Sequence, residues 1–143
     1  MLFRSQMVKR LGLDQSINRH LSLLKIYLPY SESDHVLTIA YNLLAGGSCL
    51  EHLELRRNDE AYLDALGAQR IPDPTTAGDF CRRFDRWTSF VLQEVFNQTR
   101  LQVWRQQSED FFDEAVIDAD GTMVETTGQC KEGMDIKIGR AHV

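Results

Sequence analysis

Through most of this chain apolar residues recur at intervals of three and four, and nearly every such run is bracketed by a residue that starts or stops a helix. This pattern constrains the fold more than any other feature. An apolar stripe of helical period must be buried against other helices, whereas a half-buried strand needs strict alternation. "SINRHLSLLKIYL" places Ile17, Leu21, Leu24 and Leu28 at helical spacing and closes on Pro29. "ESDHVLTIAYNLLAGG" opens with Ser33 as an N-cap and ends on Gly46 and Gly47, which suit a C-terminal cap. Ser48 with Glu51 has capping-box spacing for a third helix, and Asn58, Asp59 and Glu60 start a fourth that Gly67 ends. "IPDPTTAGDFCRRF" reads as a turn and then a helix, with Thr76 and Asp79 as a further capping pair. The longest helix is predicted from about Ser89 to Gln107, with Leu92, Val95, Phe96 and Val103 on one stripe.

The character changes at Asp110. "FFDEAVIDADGTMVETTG" is rich in Val, Ile, Thr and Phe and is punctuated by Gly121 and Gly128, which predicts a strand from Ala115 to Asp120, a turn, and room for a second strand through Val124. One or two strands cannot bury a core alone, so residues 110–137 are expected to be the start of another domain, after a helical region over residues 1–109.

Composition narrows the class. A 43% hydrophobic and 26% charged chain is typical of a globular protein, and its longest apolar run, "VLTIAYNLLAG", is about half the ~20 residues of a membrane helix. No membrane association and no secretory leader are expected. Cys49, Cys81 and Cys130 are odd in number and far apart, and the histidines lack ligand spacing. These features argue against disulfides and zinc and suit a reducing cytoplasm. The net charge of −5 does not favour nonspecific attraction to polyphosphate, yet residues 1–30 carry five basic side chains against one acidic.

The strongest chemical signal is Asp118 and Asp120, which an extended backbone would point to one face. Turn chemistry accounts for Asp120 beside Gly121 but not for Asp118, where a strand favours an apolar residue. Two chemistries use such a pair. Phosphatases of the haloacid dehalogenase group carry a D-x-D-G-T string in which the first Asp is a nucleophile and the second handles the leaving group's proton, and "DADGT" matches it. In two-metal phosphoryl transfer, a strand carboxylate holds the Mg²⁺ ions that activate the attacking oxygen and stabilise the leaving one. Arg82, Arg83 and Arg86 cluster on "GDFCRRFDRW", where Phe80, Phe84 and Trp87 form an apolar stripe. They read either as a solvated face or as phosphate contacts, spacing alone favouring the former. Arg56 and Arg57 raise the same question with less support. Trp87, Trp104, Phe111 and Phe112 read as core and interface anchors.

"ESDHVLTIAYNLLAGG", "LRRNDEAYLDALG", "IPDPTTAGDFCRRF", "VWRQQ", "FFDEAVIDADGT" and "TTGQCKEGMDI", in this order, strongly resemble the DDE transposases of bacterial insertion sequences, specifically the thirteen-eighty family. The similarity runs from about Leu2 to Ile136, and six ordered blocks outweigh the single string shared with the phosphatases. The resemblance implies an all-α N-terminal region that engages the element's terminal inverted repeats, followed by a ribonuclease-H-like catalytic domain. There two Asp and one Glu bind Mg²⁺ for DNA strand cleavage and transfer. The first Asp of that triad, in its D-G-T context, corresponds to Asp120, with Asp118 as the alternative metal ligand. The other two carboxylates would follow Ile136. The resemblance also allows a homo-oligomer in a transposition complex.

The final "IGRAHV" is the translation of ATC GGA AGA GCA CAC GTC, a common sequencing-library adapter, so residues 138–143 are expected to be a non-native tail. The sequence therefore reads as an inactive N-terminal piece of a Mg²⁺-dependent transposase. A non-catalytic helical module or regulator that occupies transposon ends is the rival from another class, and a phosphatase piece is a distant third.

Overall fold

A computed structural model describes residues 2–25, 29–117 and 119. Among them the protein is mainly α-helical. It divides into two units, residues 1–107 and 108–143.

The first unit holds seven α-helices among the described residues: α1 (Leu2–Leu11), α2 (Leu13–His20), α3 (Glu32–Leu44), α4 (Leu53–Arg57), α5 (Glu60–Leu66), α6 (Pro74–Cys81) and α7 (Arg86–Trp104). Their boundaries follow side-chain chemistry. Between α1 and α2 stands Gly12, whose φ of 65° favours a residue without Cβ. At α3 the cap is Ser31, two residues before the expected Ser33. Asp34 accepts the Ser31 backbone N–H at 2.8 Å and completes a capping box, which leaves Ser33 buried in the first turn. Residues 50–52, after Ser48, form a single 3₁₀ turn that leads into α4. Asp59 caps α5 by accepting the Tyr62 N–H at 3.1 Å, and Gly67 ends that helix at φ 68°. The cap of α6 is Asp73, which accepts from the Thr76 N–H at 2.9 Å, with Pro74 in the first helical turn; Thr76 therefore pairs backward and not with Asp79.

The run Ile17 to Leu28 is not one helix. α2 stops at His20, and Leu21 turns to extended geometry with φ −95° and ψ 140°. The cause lies in α3: the Glu32 carboxylate accepts the backbone N–H groups of Leu23 and Leu24, each at 3.1 Å, so these donors bond to a side chain and not to a helical carbonyl. Leu28 lies outside the described residues.

Two apolar clusters result. Ile17, Leu21, Val36, Phe80 and Val95 form one, and Tyr41, Leu53, Tyr62, Ile71 and Ala77 the other. Leu37, on α3, packs against both. Full burial of side chains such as Ile17, Leu53 and Phe80 stabilises by about 1.5–3 kcal/mol each. α7 contributes Val91, Leu92 and Val95 to the first cluster, while Phe96, expected on the same stripe, is 41% exposed.

In the second unit, a 3₁₀ turn spans Glu109–Phe112, and the rings of Phe111 and Phe112 meet edge-on at 5.1 Å. Both phenylalanines are exposed, so of the expected core and interface roles the core role is corrected. No strand occurs among the described residues. Ala115, Val116 and Ile117, the start of the expected strand, have no regular structure, and the latter two are 87% exposed. A strand exists only through hydrogen bonds to a neighbour, and no described segment pairs with this one. Asp118, Asp120, the turn at Gly121, the run through Val124 and the tail 138–143 lie outside the described residues.

Candidate nucleic-acid interface

The three arginines singled out in "GDFCRRFDRW" do not share one helix. α6 ends at Cys81, a turn follows, and α7 begins at Arg86. The break has a local cause in Asp85, which accepts the Thr88 N–H at 2.8 Å while Thr88 Oγ1 accepts the Asp85 N–H at 2.9 Å. This reciprocal pair starts a new helix three residues before the expected Ser89. Two backbone bonds close the turn, Arg83 N–H to Phe80 O at 3.1 Å and Phe84 N–H to Cys81 O at 3.3 Å. Phe84 packs edge-on against buried Phe80, with ring centres 5.4 Å apart. With Phe84 turned inward, Arg82 and Arg83 are left exposed.

Each arginine has a distinct environment. Arg82 forms an ion pair with Asp79; both side chains are more than half exposed, a setting in which such pairs contribute little and exchange readily for another anion. The Arg83 Nη1 donates to the carbonyl of Leu23 at 3.1 Å, across 60 positions of sequence. Arg86 lies over the ring of Phe90, 5.8 Å from its centre. The Arg83 contact joins the turn to the extended segment after α2, and exposed Lys25 lies two residues beyond Leu23. Lys25, Arg82, Arg83 and Arg86 thus belong to two chain segments held together, accompanied by the carboxylates of Asp79 and Asp85. Hydrogen bonds from the Thr88 backbone and side chain hold the Asp85 carboxyl below its usual range, so Asp85 stays ionised at its cap.

Lys25 is not legible in sequence as a partner of the arginines, because only the fold ties its segment, through Leu23, to the turn. Trp87 is the second omission. It was expected to extend the Phe80 and Phe84 stripe into the core, but the helix break at Asp85 rotates it away and leaves it 73% exposed. The Asp85-x-x-Thr88 spacing is the signal that would have placed the break. Trp104, the other expected anchor, is 38% exposed, with Arg100 over its ring at 5.1 Å.

Arg56 serves the fold, whereas Arg57 forms an exposed surface pair. Arg56 Nη2 donates to the Ala45 carbonyl at 2.7 Å and its guanidinium lies over Tyr62, while Arg57 pairs with Glu54 at 3.2 Å. A cleft of about 200 Å³ elsewhere in the first unit is lined by Val8, Lys9, Asp14, Leu37, Tyr41 and Arg70, among others, and by none of the turn arginines. Among the described residues no group of three His, Cys, Asp or Glu side chains could hold a metal ion. Asp118 and Asp120, on which the Mg²⁺ expectation rests, lie outside those residues. Cys49 and Cys81 are free thiols. No helix among the described residues is long and apolar enough to cross a membrane.

No protein-family model, curated protein or solved structure matches the chain.

Proposed function

We propose that residues 1–107 are the DNA-engaging region of an insertion-sequence DDE transposase, and that Lys25, Arg82, Arg83 and Arg86 contact phosphates of the terminal inverted repeats. The observation that carries this reading is the Arg83–Leu23 contact, which ties the arginine turn to the segment bearing Lys25. Guanidinium groups on a turn position a protein on a duplex through its backbone, independent of base sequence. The helical architecture is what the six sequence blocks lead one to expect of that region. In the parent enzyme Asp120, or Asp118 in its place, would supply the first Mg²⁺ ligand for strand cleavage and transfer. The basic surface lies wholly within the helical unit and needs no catalytic domain, which also suits a regulator that only occupies transposon ends.

The test is binding of the 143-residue chain to a labelled DNA duplex across a salt series. Replacing Arg82 and Arg83 together by Ala should weaken binding and reduce the log–log salt slope by about one unit or more. Arg82→Ala alone spares the Leu23 contact and guards against a folding artefact. An unchanged slope in both variants, with helicity intact, would return the cluster to a solvated face. An open reading frame continuing beyond codon 136 in genomic DNA, with a further Asp and a Glu, would separate the transposase from the regulator.

A further inference from the structure

Trp87 stands in the first turn of α7, 73% exposed, where burial would normally take an indole out of water. Among the described residues no aromatic ring packs on it. One helical turn further on, Phe90 is 53% exposed, with the Arg86 guanidinium over its ring at 5.8 Å. The two aromatics follow directly on the turn that carries Arg82 and Arg83. α7 meets the core through Val91, Leu92 and Val95, so neither ring is required to hold the helix in place.

We propose that Trp87 stacks on an unpaired base, and that the α6–α7 turn takes single-stranded or frayed DNA with its arginines on the flanking phosphates. This rests on the DNA-binding reading above and specifies which form of DNA the surface holds. Charge complementarity selects the occupant: an apolar ring next in the chain to Arg86, directly after the turn that carries Arg82 and Arg83, suits a ligand that alternates anionic groups with flat aromatic faces. Asp79 and Asp85 leave that surface net positive. In a duplex the base faces are stacked and closed to an indole, whereas a single strand offers every one of them. Phe90 under Arg86 extends the platform by one ring, and the guanidinium adds a cation–π contribution.

The experiment compares a labelled oligothymidylate single strand with a duplex of equal length, using the full chain, Trp87→Ala, Trp87→Phe and the Arg82→Ala/Arg83→Ala variant. Trp87→Ala should weaken single-strand binding about tenfold with little change in salt slope, and should leave duplex binding within about twofold. Trp87→Phe should recover most of the loss. In a Trp104→Phe background the oligonucleotide should quench the remaining indole fluorescence, a readout independent of any folding defect in the alanine variant. Unchanged single-strand affinity in Trp87→Ala, while the arginine variant is weakened, would overturn this inference and leave the phosphate reading standing. Failure of the arginine variant to differ from wild type on either probe would overturn the phosphate reading itself. A change of oligomeric state in Trp87→Ala without a change in oligonucleotide binding would assign the indole to a protein contact and likewise overturn the proposal.

Discussion

Glu32 is fully buried, and its Oε1 accepts two backbone N–H groups, those of Leu23 and Leu24, at 3.1 Å each. Its Oε2 is buried without a hydrogen-bond partner among the described residues. The two sides of this arrangement can be weighed. Hydrogen bonds to a charged acceptor contribute about 1.5–3 kcal/mol each, and deleting the acceptor strands both donors. Against this, the unpartnered oxygen carries an uncompensated desolvation cost that the deletion removes, and half-buried Leu23 and Leu24 can recover some hydration. Glu32→Ala should therefore destabilise by about 2–4 kcal/mol. Glu32→Gln keeps a carbonyl acceptor in place and relieves the buried charge, so its cost should be about 1 kcal/mol or less. Urea denaturation followed by circular dichroism measures both, and hydrogen exchange at the Leu23 and Leu24 amides reports whether the segment has come loose. If Ala and Gln cost the same, the negative charge at the start of α3, and not the acceptor, would be what matters. If Ala costs less than about 1 kcal/mol, the Leu21–Lys25 segment does not depend on Glu32 and the account of why α2 stops is wrong.

His35 gives a pH signature. It is 3% exposed and stacks on Phe80 at 4.5 Å. Burial holds its pKa below 6.5, aided by Arg83 and opposed by Asp34, Glu32 and Asp73. Because the unfolded chain binds this proton more readily, stability should fall as pH drops from 6.5 to the depressed folded value, then level off for this group. Parallel denaturation curves for wild type and His35→Phe should differ in slope in that window; identical slopes would show that His35 does not titrate as a buried group. Gly47 tests packing, since a methyl there would overlap the carboxamide of Asn42, which is pinned by its Nδ2 donating to the Cys49 carbonyl at 2.9 Å. Gly47→Ala should cost about 1–3 kcal/mol by thermal or urea melting, and less when Asn42→Ala is already present; strict additivity of the two would refute the clash.

Where an element is set by its own neighbours, it was legible in sequence. Gly67 ends α5 and the Asp59 region starts it, because a left-handed stop and an N-cap act within a few residues. What escaped depends on distant partners. Nothing in "HLSLLKIYL" says that a glutamate eight or nine positions later takes two of its backbone donors, so the apolar spacing continued on paper where the helix does not. The Thr76–Asp79 spacing also permits a capping pair, but Asp73 followed by Pro74 is the stronger start. At the site, the arginines stand out by composition, whereas the segment bearing Lys25 is tied to them only through Arg83 and Leu23. Trp87 leaves the apolar stripe because the helix breaks at Asp85.

Leu37 has a consequence for the whole helical unit. Since one side chain on α3 is a wall of both apolar clusters, neither cluster can expand without giving the other a void. The two are therefore expected to behave as one thermodynamic domain, losing structure together although their residues are largely distinct. The arginine turn rests on Phe80 and Phe84 of the first cluster, while Tyr62 and Ile71 line the second. A ligand that stiffens the turn would thereby be registered as slower opening in the second cluster, as mechanical strain is shared by two rooms built on a single beam.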